Sequence, residues 1–286
     1  MSNVDRNSVR RRALCLCALG LCLPRAHAVA QTKMHRGYTS TADVSLRIFV
    51  PSGRVRIIVW DRDSIDIQGT IGPTASMFGG GSGKYAKFGV EPARTGDTKL
   101  PGADWMVTVP RKANVWVKMT DGVIDADGAS GALELYGVGG SISVRRSVGV
   151  LSVESIDAMV TIEQSSGDIR LRGGSGPMLL RDVKGTASIT SVSGRVTLAG
   201  SSAPDCRVET IGGDIDVQAP PRGATFELQT HSGAIGMTFD RIRLPVLDLA
   251  SRSGLMTWNK VSGTAAEGRV IARSFKGAIT VRYVTP

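Results

Sequence analysis

The sequence has 286 residues, of which 42% are hydrophobic, 5% are aromatic and 35 are glycine, and its formal net charge is +10. This hydrophobic fraction is sufficient for a folded core, and the many glycines indicate tight turns around Val, Ile and Leu. The positive charge is not arranged as a basic stripe with interleaved aromatic residues, so we do not expect nucleic acid as a partner.

Residues 1–28 have the pattern of a secretory signal peptide, because a basic cluster precedes an apolar run at 13–23 and a small-x-small cleavage site follows. The run has eleven residues, fewer than the ~17–25 that span a membrane. We therefore predict export, cleavage after Ala28 or Ala30, and no transmembrane segment in the mature chain. Removal of residues 1–28 lowers the net charge to about +6 and leaves Cys206 as the one cysteine, which excludes an internal disulfide.

The next segments are predicted as a mature N-terminal tail at 29–42 and as strands at 43–71, which form a first coil or a strand cap. Residues 72–102 interrupt the strand pattern with the Gly-rich stretch MFGGGSGK, and we predict a long loop insertion there. This stretch is not a phosphate-binding loop, because Phe78 stands where the first glycine of that motif is required.

A repeat of nine residues begins at Ala113. Its reference position, here called the slot, is usually glycine, and apolar residues follow at slot +2 and slot +4. In SVSGRVTLAG the slot is Gly194, and the apolar residues are Val196 and Leu198. Steps of nine residues connect every slot from Ala113 to Gly194. Because side chains alternate along a strand, the +2 and +4 residues share one face, so each unit is a turn followed by a short half-buried strand.

After Gly194, additional residues enter only at every second connection, at 199–203, 218–223, 238–244 and 259–267. Two units therefore form one coil of about 18 residues, and the lengthening loops lie on one edge. We predict an all-β, single-domain parallel β-solenoid over 43–286, with about eight coils and an N-terminal strand cap. Insertions in repeat proteins commonly map to the binding face. We accordingly predict a candidate binding ridge on these loops, formed by Pro220, Arg222, Asp240, Arg241, Arg243, Asn259 and Lys260.

The sequence contains no catalytic, cofactor-binding or metal-binding signature, and we expect no cofactor. Asp214 and Asp216 point outward from one strand about 6–7 Å apart. Such a pair could serve a polysaccharide-active enzyme, although solvated surface acids are the favoured interpretation. Cys206 occupies slot +2, which predicts a buried core thiol, and His231 is predicted in a tight turn.

The segment SGRVRIIVWDRDSIDIQGTI, the strand WMVTVP and the recurring SG-x-[IV]-x-[LV] units resemble the bacterial "putative adhesin" families of unknown function over residues 40–286. The resemblance implies an exported or membrane-associated bacterial β-solenoid. It carries over no catalytic or binding residue.

We therefore expect a non-enzymatic adhesin-like or scaffold protein of the cell envelope, located in the periplasm, on the outer surface or in the medium. The expected partners are envelope glycans or surface proteins. Two alternatives remain open: a polysaccharide-active β-helix enzyme, and an envelope protein that self-assembles through its strand edges.

Overall fold

The structure is a computed structural model, and every regular element that it describes is a β-strand, which confirms the all-β prediction. The predicted signal peptide, 1–28, lies outside the described residues. The residues that the structure describes are 31–96, 98–200, 205–218, 223–240, 245–258 and 268–284. Within them there is no helix that is long and apolar enough to cross a membrane.

The described residues form 23 strands. The first five are β1 Thr32–Phe49, β2 Ser52–Trp60, β3 Ser64–Ile71, β4 Ala75–Pro92 and β5 Gly102–Pro110. The central strands are β6 Asn114–Met119, β7 Asp121–Asp127, β8 Leu133–Gly137, β9 Ser141–Arg145, β10 Val148–Ser155, β11 Met159–Glu163, β12 Ser166–Gly173, β13 Met178–Arg181, β14 Lys184–Ser191, β15 Val196–Ala199, β16 Asp205–Thr210, β17 Ile215–Gln218, β18 Thr225–Thr230 and β19 Ile235–Asp240. The last are β20 Val246–Ser251, β21 Met256–Thr257, β22 Arg269–Ser274 and β23 Ile279–Val284.

From β6 onward, alternate strands belong to two parallel ladders. Ladder A contains β7, β9, β11, β13, β15, β17, β19, β21 and β23, and ladder B contains β6, β8, β10, β12, β14, β16, β18, β20 and β22. A ladder B strand and the ladder A strand that follows it are called a strand pair below. Strand β1 pairs with β6 of ladder B and is connected to β7 of ladder A through β3, β5 and β2, so the strands form one mostly parallel sheet of 23 strands.

The pairing register follows the period of the sequence. Leu151 pairs with Leu133 on one side and with Ile169 on the other, 18 residues away in each direction. The +2 and +4 positions are buried between the two ladders, as Val196 and Leu198 illustrate. The core is therefore a column of aliphatic side chains that each strand pair extends by a few residues.

Close contact between successive turns explains the glycine at the slot. A side chain at Gly194 would overlap the carbonyl oxygen of Gly176, which occupies the same slot one strand pair earlier. Three residues before the slot, the buried Ser191 donates a hydrogen bond from Oγ to the carbonyl oxygen of Gly194 at 3.0 Å. Thr210 repeats this contact with Gly213. A hydroxyl residue that ends a ladder B strand thus satisfies the backbone of the tight turn that follows.

The prediction of a loop over residues 72–102 was wrong, because β4 occupies most of that segment. Gly79 lies against Lys87 and Gly81 lies against Tyr85, so β4 folds back on itself as a hairpin. Its returning arm pairs with β1 and buries Phe88. The sequence does not reveal this strand, because its glycines have no side chains to show an alternation of apolar and polar residues.

The predicted N-terminal tail at 29–42 is also partly incorrect, since β1 begins at Thr32 and pairs antiparallel with β3. At this end of the sheet, β5 pairs with β3 and with β2.

The last two strand pairs do not stack in chain order. Strands β22 and β23 pair with β18 and β19, although β20 and β21 precede them in the sequence. Strands β20 and β21 then pair with the outer sides of β22 and β23. The strand pair β22–β23 therefore lies between β18–β19 and β20–β21, both of which come earlier in the sequence.

Cys206 is buried at slot +2, as predicted, and burial raises the pKa of its thiol to about 12. Because the thiolate is the reactive form, we expect the chain without residues 1–28 to react with a disulfide reagent at pH 8 at least roughly 10³-fold more slowly than a free cysteine. Absorbance of the released thiol measures the rate. Reaction within minutes in the native state would contradict the burial, whereas reaction after addition of denaturant is expected.

Candidate functional site: a groove along the tight-turn edge

The predicted binding ridge is not tested by the structure. Asp240 ends β19, and its side chain is outside the described part of the chain. The remaining ridge residues lie outside the described residues, and they are Pro220, Arg222, Arg241, Arg243, Asn259 and Lys260.

A groove runs along the opposite edge, beside the tight turns that connect each ladder B strand to its ladder A partner. It consists of two cavities of about 670 Å³ and 510 Å³. The cavities share Arg172 and Gly173 in their linings, so they adjoin along this edge, and both are open to solvent. Its walls follow from the alternation at the end of each ladder B strand, where the last residue points inward and its neighbours point outward.

One wall is polar and is built by the next-to-last residue of each ladder B strand. These residues are in register across the ladder, so each strand pair supplies one of them. Arg172 pairs with Glu154 at 3.3 Å, and Arg273 pairs with Asp248 at 2.8 Å. Hydrogen bonding by Arg273 holds the pKa of the Asp248 carboxyl below its usual value. In stacking order the wall consists of Lys118, Tyr136, Glu154, Arg172, Thr190, Glu209, Gln229 and Arg273.

The other wall is largely apolar and is built by the first residue of each tight turn. This residue follows the buried end of the strand, so it must project to solvent. The exposed fraction of its apolar members ranges from 37% to 59%. An exposed apolar surface that continues across several strands is typical of an interaction site. The apolar members are Val138, Ile156, Val192, Ile211 and Phe275.

At the end of the groove nearest β20, a ring stack replaces the aliphatic residues. The rings of His231 and Phe275 lie parallel within 9°, with centroids 4.9 Å apart. The guanidinium carbon of Arg252 lies 4.9 Å from the centroid of Phe275. These three residues occupy the same turn position in three adjacent strand pairs. They meet because the last two strand pairs exchange their order in the stack.

The cations at this end differ from the two arginines of the polar wall. Among the described residues, neither Arg252 nor Lys276 has a carboxylate within ion-pair distance, in contrast to Arg172 and Arg273. Both side chains are exposed, and Lys276 is the chain neighbour of Phe275. The groove therefore ends in a positively charged, aromatic rim.

Asp214 and Asp216 are on the outer face of ladder A and do not line the groove. Asp214 pairs with Arg195 at 2.8 Å and accepts a hydrogen bond from the backbone N–H of Ala234 at 2.9 Å. Asp216 accepts a hydrogen bond from Gln218 at 2.7 Å. These contacts fit the interpretation as surface acids.

The groove was missed at the level of sequence, although a signal was present. Val138, Ile156, Val192 and Ile211 follow the last residues of β8, β10, β14 and β16 at the same repeat position, which Gly174 occupies after β12. An apolar residue that recurs at an outward position marks an apolar stripe on the surface.

Within the described residues, no cluster of His, Cys, Asp and Glu could hold a metal ion.

Comparison with known proteins gives structural neighbours only, because no protein-family model and no curated protein matches the sequence. A "putative cell adhesion protein" from Clostridium sporogenes is 8% identical, with 89% of this chain and 100% of that chain covered and a TM-score of 0.29. A "putative adhesin" from Bacteroides fragilis is 13% identical, with 90% of this chain and 99% of that chain covered and a TM-score of 0.38.

Proposed function

We propose that this protein is an exported, non-enzymatic β-solenoid that binds a linear glycan of the bacterial cell envelope along its tight-turn edge. In this proposal each strand pair from β6 onward is one coil of the solenoid, and the strands before β6 close its N-terminal end. The observation that carries the proposal is the groove, with one polar and one mostly apolar wall.

The periodicity of the groove favours a polymer over a compact ligand. Eight successive polar-wall residues lie at the ~4.8 Å strand spacing, so the wall is about 34 Å long. A sugar unit in an extended glycan advances by a similar distance. Successive coils can therefore offer each sugar similar contacts, with hydrogen bonds on one side and apolar packing on the other.

The carboxylates of the polar wall support binding rather than hydrolysis. Glu154 pairs with Arg172 and Glu209 pairs with Arg207. Glycoside hydrolysis usually requires two facing carboxyl groups about 5–10 Å apart that are both free to contact the sugar. The paired acids instead add hydrogen-bond acceptors to a wall that also presents donors.

A charged substitution in the apolar wall should distinguish binding in the groove from binding at another surface of the protein. We expect Ile211→Asp to weaken binding of a linear glycan by about tenfold or more, because it places a desolvated carboxylate against the ligand. Isothermal titration of the chain without residues 1–28 against a panel of linear oligosaccharides measures the change. The matched control is Met159→Asp, since Met159 is similarly exposed (51%, against 59% for Ile211) but lies on the outer face of ladder A.

Equal loss of binding in both variants would contradict the groove as the binding site. Binding of extended peptides but of no glycan in the same panel would replace the glycan with a segment of a surface protein. Unfolding midpoints of the two variants, compared by circular dichroism, establish that each remains folded.

A further inference from the structure

We propose that the glycan is acidic and that its carboxylate is bound at the rim formed by His231, Arg252, Phe275 and Lys276. This inference depends on the proposed function, because it specifies the ligand of the same groove. The rim lies where the groove meets the outermost strand pair, β20–β21.

The ring stack holds one cation in place. Arg252 lies over one face of Phe275, and His231 is stacked on the same ring at a centroid distance of 4.9 Å. A guanidinium above an aromatic ring is attracted to it while its N–H groups remain directed outward in the plane of the group. Less side-chain freedom is then lost when the guanidinium binds a ligand, so the site is partly organised in advance.

The charge distribution selects a negatively charged ligand. The two arginines of the polar wall already have carboxylate partners, since Arg172 pairs with Glu154 and Arg273 pairs with Asp248. Arg252 and Lys276 have none among the described residues. A guanidinium binds a carboxylate through two parallel hydrogen bonds, and Lys276 adds a second positive charge to the rim. A glycan carboxylate would supply the missing partner.

The chemistry of the whole groove favours a glycan that carries this acid. The remaining walls present mixed donors and acceptors and aliphatic side chains, which suit hydroxyl groups and the apolar faces of sugar rings. The net charge of about +6 on the chain without residues 1–28 draws an acidic polymer toward the surface over a longer range. A linear polyuronate combines all of these features in a single ligand.

The test compares three ligands of equal length with the chain lacking residues 1–28: an oligogalacturonate, the same oligosaccharide with its carboxyl groups reduced to alcohols, and a glycerol-phosphate oligomer. Isothermal titration at fixed ionic strength gives each affinity. We expect the oligogalacturonate to bind about tenfold more tightly than its reduced form. Arg252→Gln should abolish this preference and leave the affinity for the reduced form unchanged.

The matched control is Lys184→Gln, which removes an exposed charge from the opposite edge of the sheet. It should retain the preference for the acidic ligand. If Arg252→Gln and Lys184→Gln lose the preference for the acidic ligand equally, general charge attraction explains it and the rim is not the binding site. If the glycerol-phosphate oligomer binds more tightly than the oligogalacturonate, the rim does not select a carboxylate. If the acidic and reduced ligands bind equally and Ile211→Asp weakens the binding of both, the groove is the glycan-binding site but the rim does not bind a carboxylate. If no oligosaccharide binds, both proposals fail.

Discussion

Substitution of Gly194 by alanine is expected to lower the free energy of unfolding by about 3 kcal/mol, although it adds a single methyl group. The methyl carbon would overlap the carbonyl oxygen of Gly176 and lie 2.9 Å from its carbonyl carbon. These backbone atoms lie in short turns between paired strands, so they cannot move aside as a side chain can. The two strand pairs must therefore separate locally and weaken the hydrogen bonds of both ladders. Urea unfolding followed by circular dichroism measures the loss.

The control for this substitution is Gly80→Ala in the β4 hairpin. A methyl group at Gly80 would meet no atom within 4 Å. Its effect should remain within about 0.5 kcal/mol, as is usual for an exposed position. A Gly194→Ala variant as stable as the unsubstituted chain would show that the turns do not approach one another as closely as the structure describes.

Substitution of Phe88 by alanine is expected to cost about 3–5 kcal/mol, the usual loss for a large aromatic side chain in a core. Phe88 is 0% exposed and packs against Tyr38, with ring centroids 4.6 Å apart. Removal of the ring would leave a cavity between the β4 hairpin and β1. Thermal or urea unfolding of the variant measures the effect, and proteolysis within 75–92 should increase as the hairpin loosens.

Tyr85→Ala provides the control within the same hairpin, because Tyr85 is 74% exposed. Its effect on stability should be within about 0.5 kcal/mol. The two outcomes also distinguish the hairpin from the loop that the sequence predicts for this segment. In a solvated loop, both aromatic residues would be replaced at little cost.

The central repeat illustrates how far sequence reasoning extends. The positions of Val196 and Leu198 relative to Gly194 predict which side chains are buried, and Cys206 follows the same rule. This works because a strand has a period of two and because each unit packs against near-copies of itself. The inward positions that the local sequence indicates are therefore the same ones that packing against the neighbouring units buries.

The β4 hairpin shows where this reasoning stops. Gly79 and Gly81 have no side chain to display a strand pattern, so the buried position of Phe88 is not visible in its own segment. The burial depends on pairing between the hairpin and β1, which are separate in the sequence. A composition that is typical of loops was therefore compatible with a core strand.

By itself, the sequence determined the all-β class, the length of the repeating unit and the inward positions, because these depend on the alternation of side chains within each strand. Only the tertiary structure decided the order of the last strand pairs and, with it, the contact of His231 and Arg252 with Phe275. Strands with the same pattern of inward residues can occupy the same place in a ladder. Their order is set by packing between whole strand pairs, which no single segment of the sequence records.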